Sequence, residues 1–351
     1  MKYLIVILSA FFLTLSAQTQ TDSIENKHLK NIKQLTFGGD NAEAYFSPNG
    51  KFLAFQSNNP KWGLQCDQIF SLDIAKAIKK QHNYMPKKIS NGLGRTTCSY
   101  YMPNSKDILY ASTFKGSHTC PTPVTMQGKY LWNIFSDFDI FIANQKGKII
   151  KQLTNDSVYD AEATVSPKGD KIVFTSTRSG DLELWIMNID GSGLKQLTFD
   201  LGYDGGAFFS PDGSQLVFRS SRPKSEDEIK EYKDLLSQGL VAPTNMEIYV
   251  IDTNGQNLKQ ITNLGKANWA PFYHPSGKKI LFSSNHASKR GYEFQLYMIN
   301  TDGTQLTQIT SQSIFNAFPM FSPDGKKLVF SSNRNNGGTK DTNLFIADWI
   351  D

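Results

Sequence analysis

A phrase of four residues, Lys33-Gln34-Leu35-Thr36, returns five times in degenerate form, and no other feature constrains the fold so tightly. It recurs at Lys87 to Ser90, Lys151 to Thr154, Lys195 to Thr198, Lys259 to Thr262 and Thr307 to Thr310. Twelve or thirteen residues after each copy stands a proline: Pro48, Pro103, Pro167, Pro211, Pro275 or Pro323. A period of this kind implies an array of equivalent supersecondary units, none of which can bury its apolar face alone.

Each proline opens a turn of the form SPDG, and a dense apolar run such as LVF, IVF or ILF follows. Proline fixes one φ and Gly or Asn supplies a positive one, so two strands meet there as a hairpin. A third strand is read in segments such as LELWIMNID, EIYVIDT and NLFIADW, and the Lys-Gln-Leu-Thr phrase is the fourth. Strands apolar on both sides need cover on both faces. Six four-stranded antiparallel sheets packed radially meet that need, so the expected fold is all-β, a six-bladed β-propeller over residues 33–351. The last unit ends without a fourth strand, which the first phrase, at Lys33 to Thr36, is placed to supply, closing the ring and removing its open edges.

The repeat SPDGKKLVFSSNR followed by LFIAD resembles the WD40-like repeat of the TolB family, six-bladed propellers of the bacterial periplasm. The resemblance runs from Lys33 to Ile350 and implies an exported binding scaffold. The same repeat also forms the propeller of prolyl-oligopeptidase-type hydrolases and of some lyases, so the resemblance alone leaves the chemistry open.

Residues 1–17, with Lys2 before an apolar run that ends in small residues, read as a secretory signal peptide cut after Ala17. Residues 18–32 form an N-terminal segment, and nothing after Gln18 is apolar for long enough to cross a membrane. The expected location is therefore the periplasm or the exterior. A net charge of +5 spread along 351 residues gives no nucleic-acid footprint. A monomer is expected.

In an up-and-down blade the connections between second and third strands share one face with the starts of the first strands. Four of these connections are long: Ser57 to Gln65, Ser112 to Asp137, Ser220 to Asn245 and Ser284 to Glu293. The turns of the opposite face are expected to be short and uniform. Within the third long connection, Ser225 with Glu228 forms a capping box, and Ile229, Tyr232, Leu235 and Leu236 follow at helical spacing, which predicts a helix stopping at Gly239. Long loops gathered on one end of a rigid scaffold usually carry recognition.

On that face Asn41, Thr96, Asp160, Asp204, Asn268 and Asn316 each stand seven residues before a turn proline. They read either as a polar ring around the channel mouth or as residues that satisfy backbone at the start of a strand. Two positions further in, Glu43 and Glu162 share an otherwise small or apolar set with Cys98, Gly206, Ala270 and Phe318. Trp62, Trp132 and Trp269, with Tyr130 and Tyr203, are candidate aromatics of the same face. Cys98 with Cys120 is the simplest disulfide, leaving Cys66; a site of three thiolates joined by His118 or Glu43 is the alternative. No GxSxG, HExxH, phosphate-cradling glycine motif or EF-hand loop occurs, and no cofactor is implied. The expectation is a non-enzymatic scaffold binding an envelope protein or glycan. A metal-assisted lyase or hydrolase using Glu43 and Glu162 as acid and base is the second reading, and a sensor of small ligands in the channel a third.

Overall fold

The computed structural model describes residues 24–351, so the signal-peptide reading of residues 1–17 lies outside the described residues. Six four-stranded antiparallel sheets form a ring, five of them built outward from the channel wholly in chain order. The innermost strands are Asp40–Phe46, Thr96–Tyr101, Asp160–Val165, Asp204–Phe209, Asn268–Tyr273 and Asn316–Phe321, defining blades 1 to 6. The chain is a six-bladed β-propeller. Its ring closes as the repeat implied: Leu29–Gln34 pairs antiparallel with Asn343–Trp349, so blade 6 takes its outer strand from the N-terminal side.

The repeated residues each have a physical task. In every blade one aromatic of the second strand is fully buried: Phe55, Tyr110, Phe174, Phe218, Phe282 or Phe330. Such burial contributes about 1.5–3 kcal/mol per side chain. The last residue of the Lys-Gln-Leu-Thr phrase ties the fourth strand to the third. Thr198 Oγ1, for example, accepts the N–H of Leu184 and donates to Glu183, and Thr154, Thr262 and Thr310 repeat this with Ile140, Ile248 and Leu296. The serine of the SPDG turn accepts the N–H five residues on, as Ser210 does from Gln215.

Two departures from the sequence reading concern the connections. The proline face is not uniform, because in blade 1 a helix, Ile74–Lys80, intervenes between third and fourth strands. Asp73 caps it through the N–H of Lys76, and Ile74 and Ala77 are buried in the core. On the opposite face the two longest insertions meet. Trp132–Asn133 of the blade 2 insertion pairs with Leu240–Val241 of the blade 4 insertion, bridging over blade 3. The helix of the blade 4 insertion, Glu226–Leu236, has the expected capping box of Ser225 and Glu228 and packs against the core through Tyr232 and Leu236.

Candidate functional site

Each innermost strand carries one irregularity in register, and at it one residue in the left-handed region. These residues are Glu43 (φ 54°), Cys98 (43°), Glu162 (59°), Gly206 (62°), Ala270 (47°) and Phe318 (56°). A bulge re-aims a side chain, and here six bulges form the neck of the channel. Below the neck, Tyr45, Tyr100, Phe208 and Phe272 pack together, with ring centroids of Tyr45 and Phe208 5.3 Å apart and of Phe208 and Phe272 5.2 Å apart. This aromatic layer separates two chambers. The lower one, about 450 Å³, is lined mainly by the six turn prolines and neighbouring apolar residues.

The upper chamber, about 500 Å³, lies under the bridge made by the two insertions. Tyr130, Trp132, Phe135, Trp269 and Phe315 line it, and Glu43, Cys98, Glu162 and Arg219 lie at its base. Trp132 and Trp269 are 5.3 Å apart between ring centroids. The Trp269 indole donates to the carbonyl of Pro243 at 2.9 Å, tying the wall to the blade 4 insertion.

A buried charge cluster sits at the base. Arg219 pairs with Glu162 and donates to the Tyr203 hydroxyl at 2.7 Å. Glu162 also accepts from Tyr203 Oη at 2.6 Å, Thr175 Oγ1 at 2.7 Å and the N–H of Gly206 at 3.0 Å. The guanidinium lies over the rings of Trp132 and Tyr203, 4.9 and 5.3 Å from their centroids. Two adjacent glycines make room: a Cβ at Gly205 would strike Glu162 and Tyr203, and one at Gly206 would strike the Arg219 guanidinium. Burial, reinforced by Glu162, pushes the Tyr203 hydroxyl well above its usual range.

Glu43 differs from Glu162 in having no such partners. Burial pushes its carboxyl up to about 7, opposed by the neighbouring Cys98 thiol and the more distant Arg219 charge. Burial likewise holds the Cys98 thiol well above its normal range, with the charges of Glu43 and Glu162 adding to the effect. Deeper in the wall Arg95 pairs with Asp67 at 2.6 Å.

The other residues singled out in the sequence lie elsewhere. Asn41, Asp160, Asp204, Asn268 and Asn316 are completely buried, and Thr96 nearly so, between blades rather than around an open mouth. Asp160 and Asp204 each hold an arginine of their own blade, Arg178 and Arg222, through both carboxylate oxygens. The N–H of each of the six donates to a carbonyl of the preceding blade, that of Asn268 to Met246 and that of Asp160 to Phe138, for example. They are clamps between blades, because a polar residue at the start of an inner strand faces a blade junction. Trp62 is also away from the chamber, packed on Phe70 at 5.0 Å within blade 1.

The disulfide expected between Cys98 and Cys120 is a correction: Cys120 joins Cys66, and Cys98 is free. The blade 2 insertion folds back toward blade 1, where Cys66 precedes the third strand, whereas Cys98 is turned into the neck by its bulge. The pairing removes two of the three thiolates from the alternative metal reading. Among the described residues no group of three His, Cys, Asp or Glu side chains is arranged to hold a metal ion.

Arg219 was not singled out by sequence, although a signal existed. Its position in the second strand is held by Gln56, Ala111, Thr175, Ser283 and Ser331 in the other blades, and only blade 4 has a charge there, opposite a glycine pair.

A closed ring of six bulged blades with a roofed chamber on the loop face defines a six-bladed β-propeller with a cavity at one end of its channel. The chain belongs to the TolB beta propeller domain family, which it matches over residues 134–234 and 236–343. No curated protein sequence matches. Among solved structures it is similar to a putative TolB from Agrobacterium tumefaciens, at 18% identity with 89% of this chain and 91% of that one covered and a TM-score of 0.57. It is also similar to a gluconolactonase from Xanthomonas campestris, at 11% identity, 92% and 91% coverage and TM-score 0.59. An oligogalacturonate lyase in complex with manganese matches at 13% identity, 91% and 93% coverage and TM-score 0.50. At these identities the likeness is one of fold. Among the described residues no helix is long and apolar enough to cross a membrane.

Proposed function

We propose that the chain is an exported, non-enzymatic propeller that binds part of an envelope protein or glycan in its upper chamber. The observation that carries this reading is the chamber itself: about 500 Å³, walled by aromatic residues, roofed by two paired insertions, and floored by the neck with the aromatic layer beneath it. Pockets of this size with an apolar wall and a few convergent polar groups are the usual form of a ligand site. Export is supported by the signal-like residues 1–17 and by the Cys66–Cys120 bond, since such bonds persist in oxidising compartments.

A binding role is favoured over acid–base catalysis by Glu43 and Glu162 because Glu162 is tied into the chamber's base. A phenol, a threonine hydroxyl and a backbone N–H converge on its Oε2 and Arg219 pairs with its Oε1, which holds it as an anchoring carboxylate. The test is cross-linked capture from the native envelope with wild-type protein and with Trp132→Ala. One envelope component captured by the wild type and lost in the variant is the expected result. Equal capture by a folded Trp132→Ala protein would place binding elsewhere and reject the chamber.

A further inference from the structure

The upper chamber carries an unbalanced charge. Three carboxylates, Glu43, Asp67 and Glu162, line it with two guanidinium groups, Arg95 and Arg219. Asp67 pairs with Arg95 and Glu162 with Arg219, so the carboxyl left over is Glu43. Among the described residues no cationic group lies within ion-pairing distance of it, and its neighbour is the Cys98 thiol.

Glu43 shares the neck with residues of all the other blades, those of blades 5 and 6, Ala270 and Phe318, being apolar. Its own strand contributes Tyr45, blade 2 contributes Cys98, blade 3 Glu162 and blade 4 Arg219, while Asp67 lies further off on the blade 1 wall. The only cation in that set is Arg219, whose Nη2 is held by Glu162 and Tyr203 and which forms no ion pair with Glu43. A carboxylate in such a position is costly to ionise unless a cation arrives. Glu43 lines both the neck and the chamber, so a group entering from the loop face reaches it. The walls above it hold Trp132, Trp269 and Tyr130, and aromatic walls favour cations over anions.

We infer that Glu43 is the receptor for a protonated primary amine, and that the ligand of the upper chamber presents such a group at its leading end. This deepens the binding reading above and rests on it. The shared chemistry is an ammonium donating to the Glu43 carboxylate at the neck, with the rest of the ligand against the aromatic wall. Two carriers offer it, the free N-terminus of a peptide and an amino sugar.

The experiment is calorimetry on the intact, disulfide-bonded protein with triglycine amide and glucosamine, each beside its N-acetylated form. Binding by at least one amine, abolished by acetylation, is expected, and the amine that binds identifies the carrier. Ionisation of Glu43 is required and both amines stay largely protonated between pH 6 and 7. With a carboxyl titrating near 7, affinity should therefore be about fivefold weaker at pH 6 than at pH 7. In Glu43→Gln the affinity should fall at least tenfold and its pH dependence disappear. The wild-type pH dependence stands as a separate measurement should that variant fold poorly.

Binding of neither amine, or equal binding of the acetylated forms, or wild-type affinity that is flat between pH 6 and 7, overturns the inference. If envelope capture is lost in Trp132→Ala while neither amine binds, the amine inference falls and the binding reading stands. If an amine binds in the expected way and nothing is captured, the inference stands and the macromolecular reading falls.

Discussion

Removing Arg219 and Glu162 singly and together tests whether the base of the chamber is held by one coupled ion pair. Both residues are 8% exposed, so neither charge is relieved by water when its partner goes. Breaking a buried pair by deleting one side costs about 3–5 kcal/mol. Arg219→Met leaves Glu162 with its three remaining donors, Tyr203, Thr175 and the Gly206 N–H, which places its cost near the lower limit, about 3 kcal/mol. Glu162→Gln leaves a buried guanidinium whose Nε already lacks a partner, so about 4 kcal/mol is expected. In the double variant neither charge remains, and its cost should be about 4 kcal/mol, a coupling of about 3 kcal/mol. Urea unfolding at pH 7, followed by tryptophan fluorescence and by circular dichroism, gives the four stabilities. Additivity within about 0.5 kcal/mol would refute the argument, since it would mean that each group is stabilised by its surroundings and not by the other.

The remaining expectations follow from neighbouring contacts. Gly206→Ala should lower stability by about 3 kcal/mol or more, because the new Cβ displaces Arg219 from Glu162, and the change should register in the fluorescence of Trp132 beneath the guanidinium. Replacing Cys66 and Cys120 by Ser should cost about 4 kcal/mol in urea unfolding, given the 54-residue separation they close, whereas Cys98→Ser should leave stability within about 1 kcal/mol. Burial raises Glu183 from 4.5 to about 8, so the folded state holds a proton that the unfolded state releases and stability falls as pH rises between those values. Gln68 and Gln295 already occupy the equivalent position in blades 1 and 5, accepting from Ser90 and Thr310. Glu183→Gln should therefore gain stability relative to wild type across that window, by up to about 4 kcal/mol at pH 8 and little at pH 4.5, read as melting temperature against pH.

What was legible in the sequence is what repeats. The turn prolines, the buried aromatic of each second strand and the serine or threonine that ties fourth strand to third recur at fixed spacing, so six copies fix the blade and ring closure follows from the unfilled last unit. The helix of residues 226–236 was legible because a capping box and an apolar stripe are local signals. The chamber was less so, since its parts come from different blades. The pairing of Trp132 with Val241 and the bond between Cys66 and Cys120 depend on how two insertions fold across the disc, which no local spacing encodes. Three cysteines allow three pairings, and only the path of the blade 2 insertion chooses among them. The polar residues at the strand starts were conspicuous because they repeat, and they repeat because every blade junction needs a clamp. Arg219 mattered because it does not repeat.

That contrast applies to the neck as a whole. All six bulge residues adopt the left-handed conformation, five of them without the freedom of glycine, which costs on the order of 1–3 kcal/mol at each. Strain shared by every blade belongs to the architecture, as the apolar Ala270 and Phe318 bear it along with Glu43 and Glu162. What differs is the side chain that the bulge delivers. Blades 1 to 4 bring Glu43, Cys98, Glu162 and, across Gly206, Arg219; blades 5 and 6 bring Ala270 and Phe318, with Trp269 and Phe315 above them. The pseudo-symmetric ring is thus divided into a charged side and an apolar side, and the aromatic layer lies between it and the chamber of the proline face. A ligand that fills this chamber must enter from the loop face and carry the same division, a polar end for Glu43 and an apolar flank for Trp269 and Phe318.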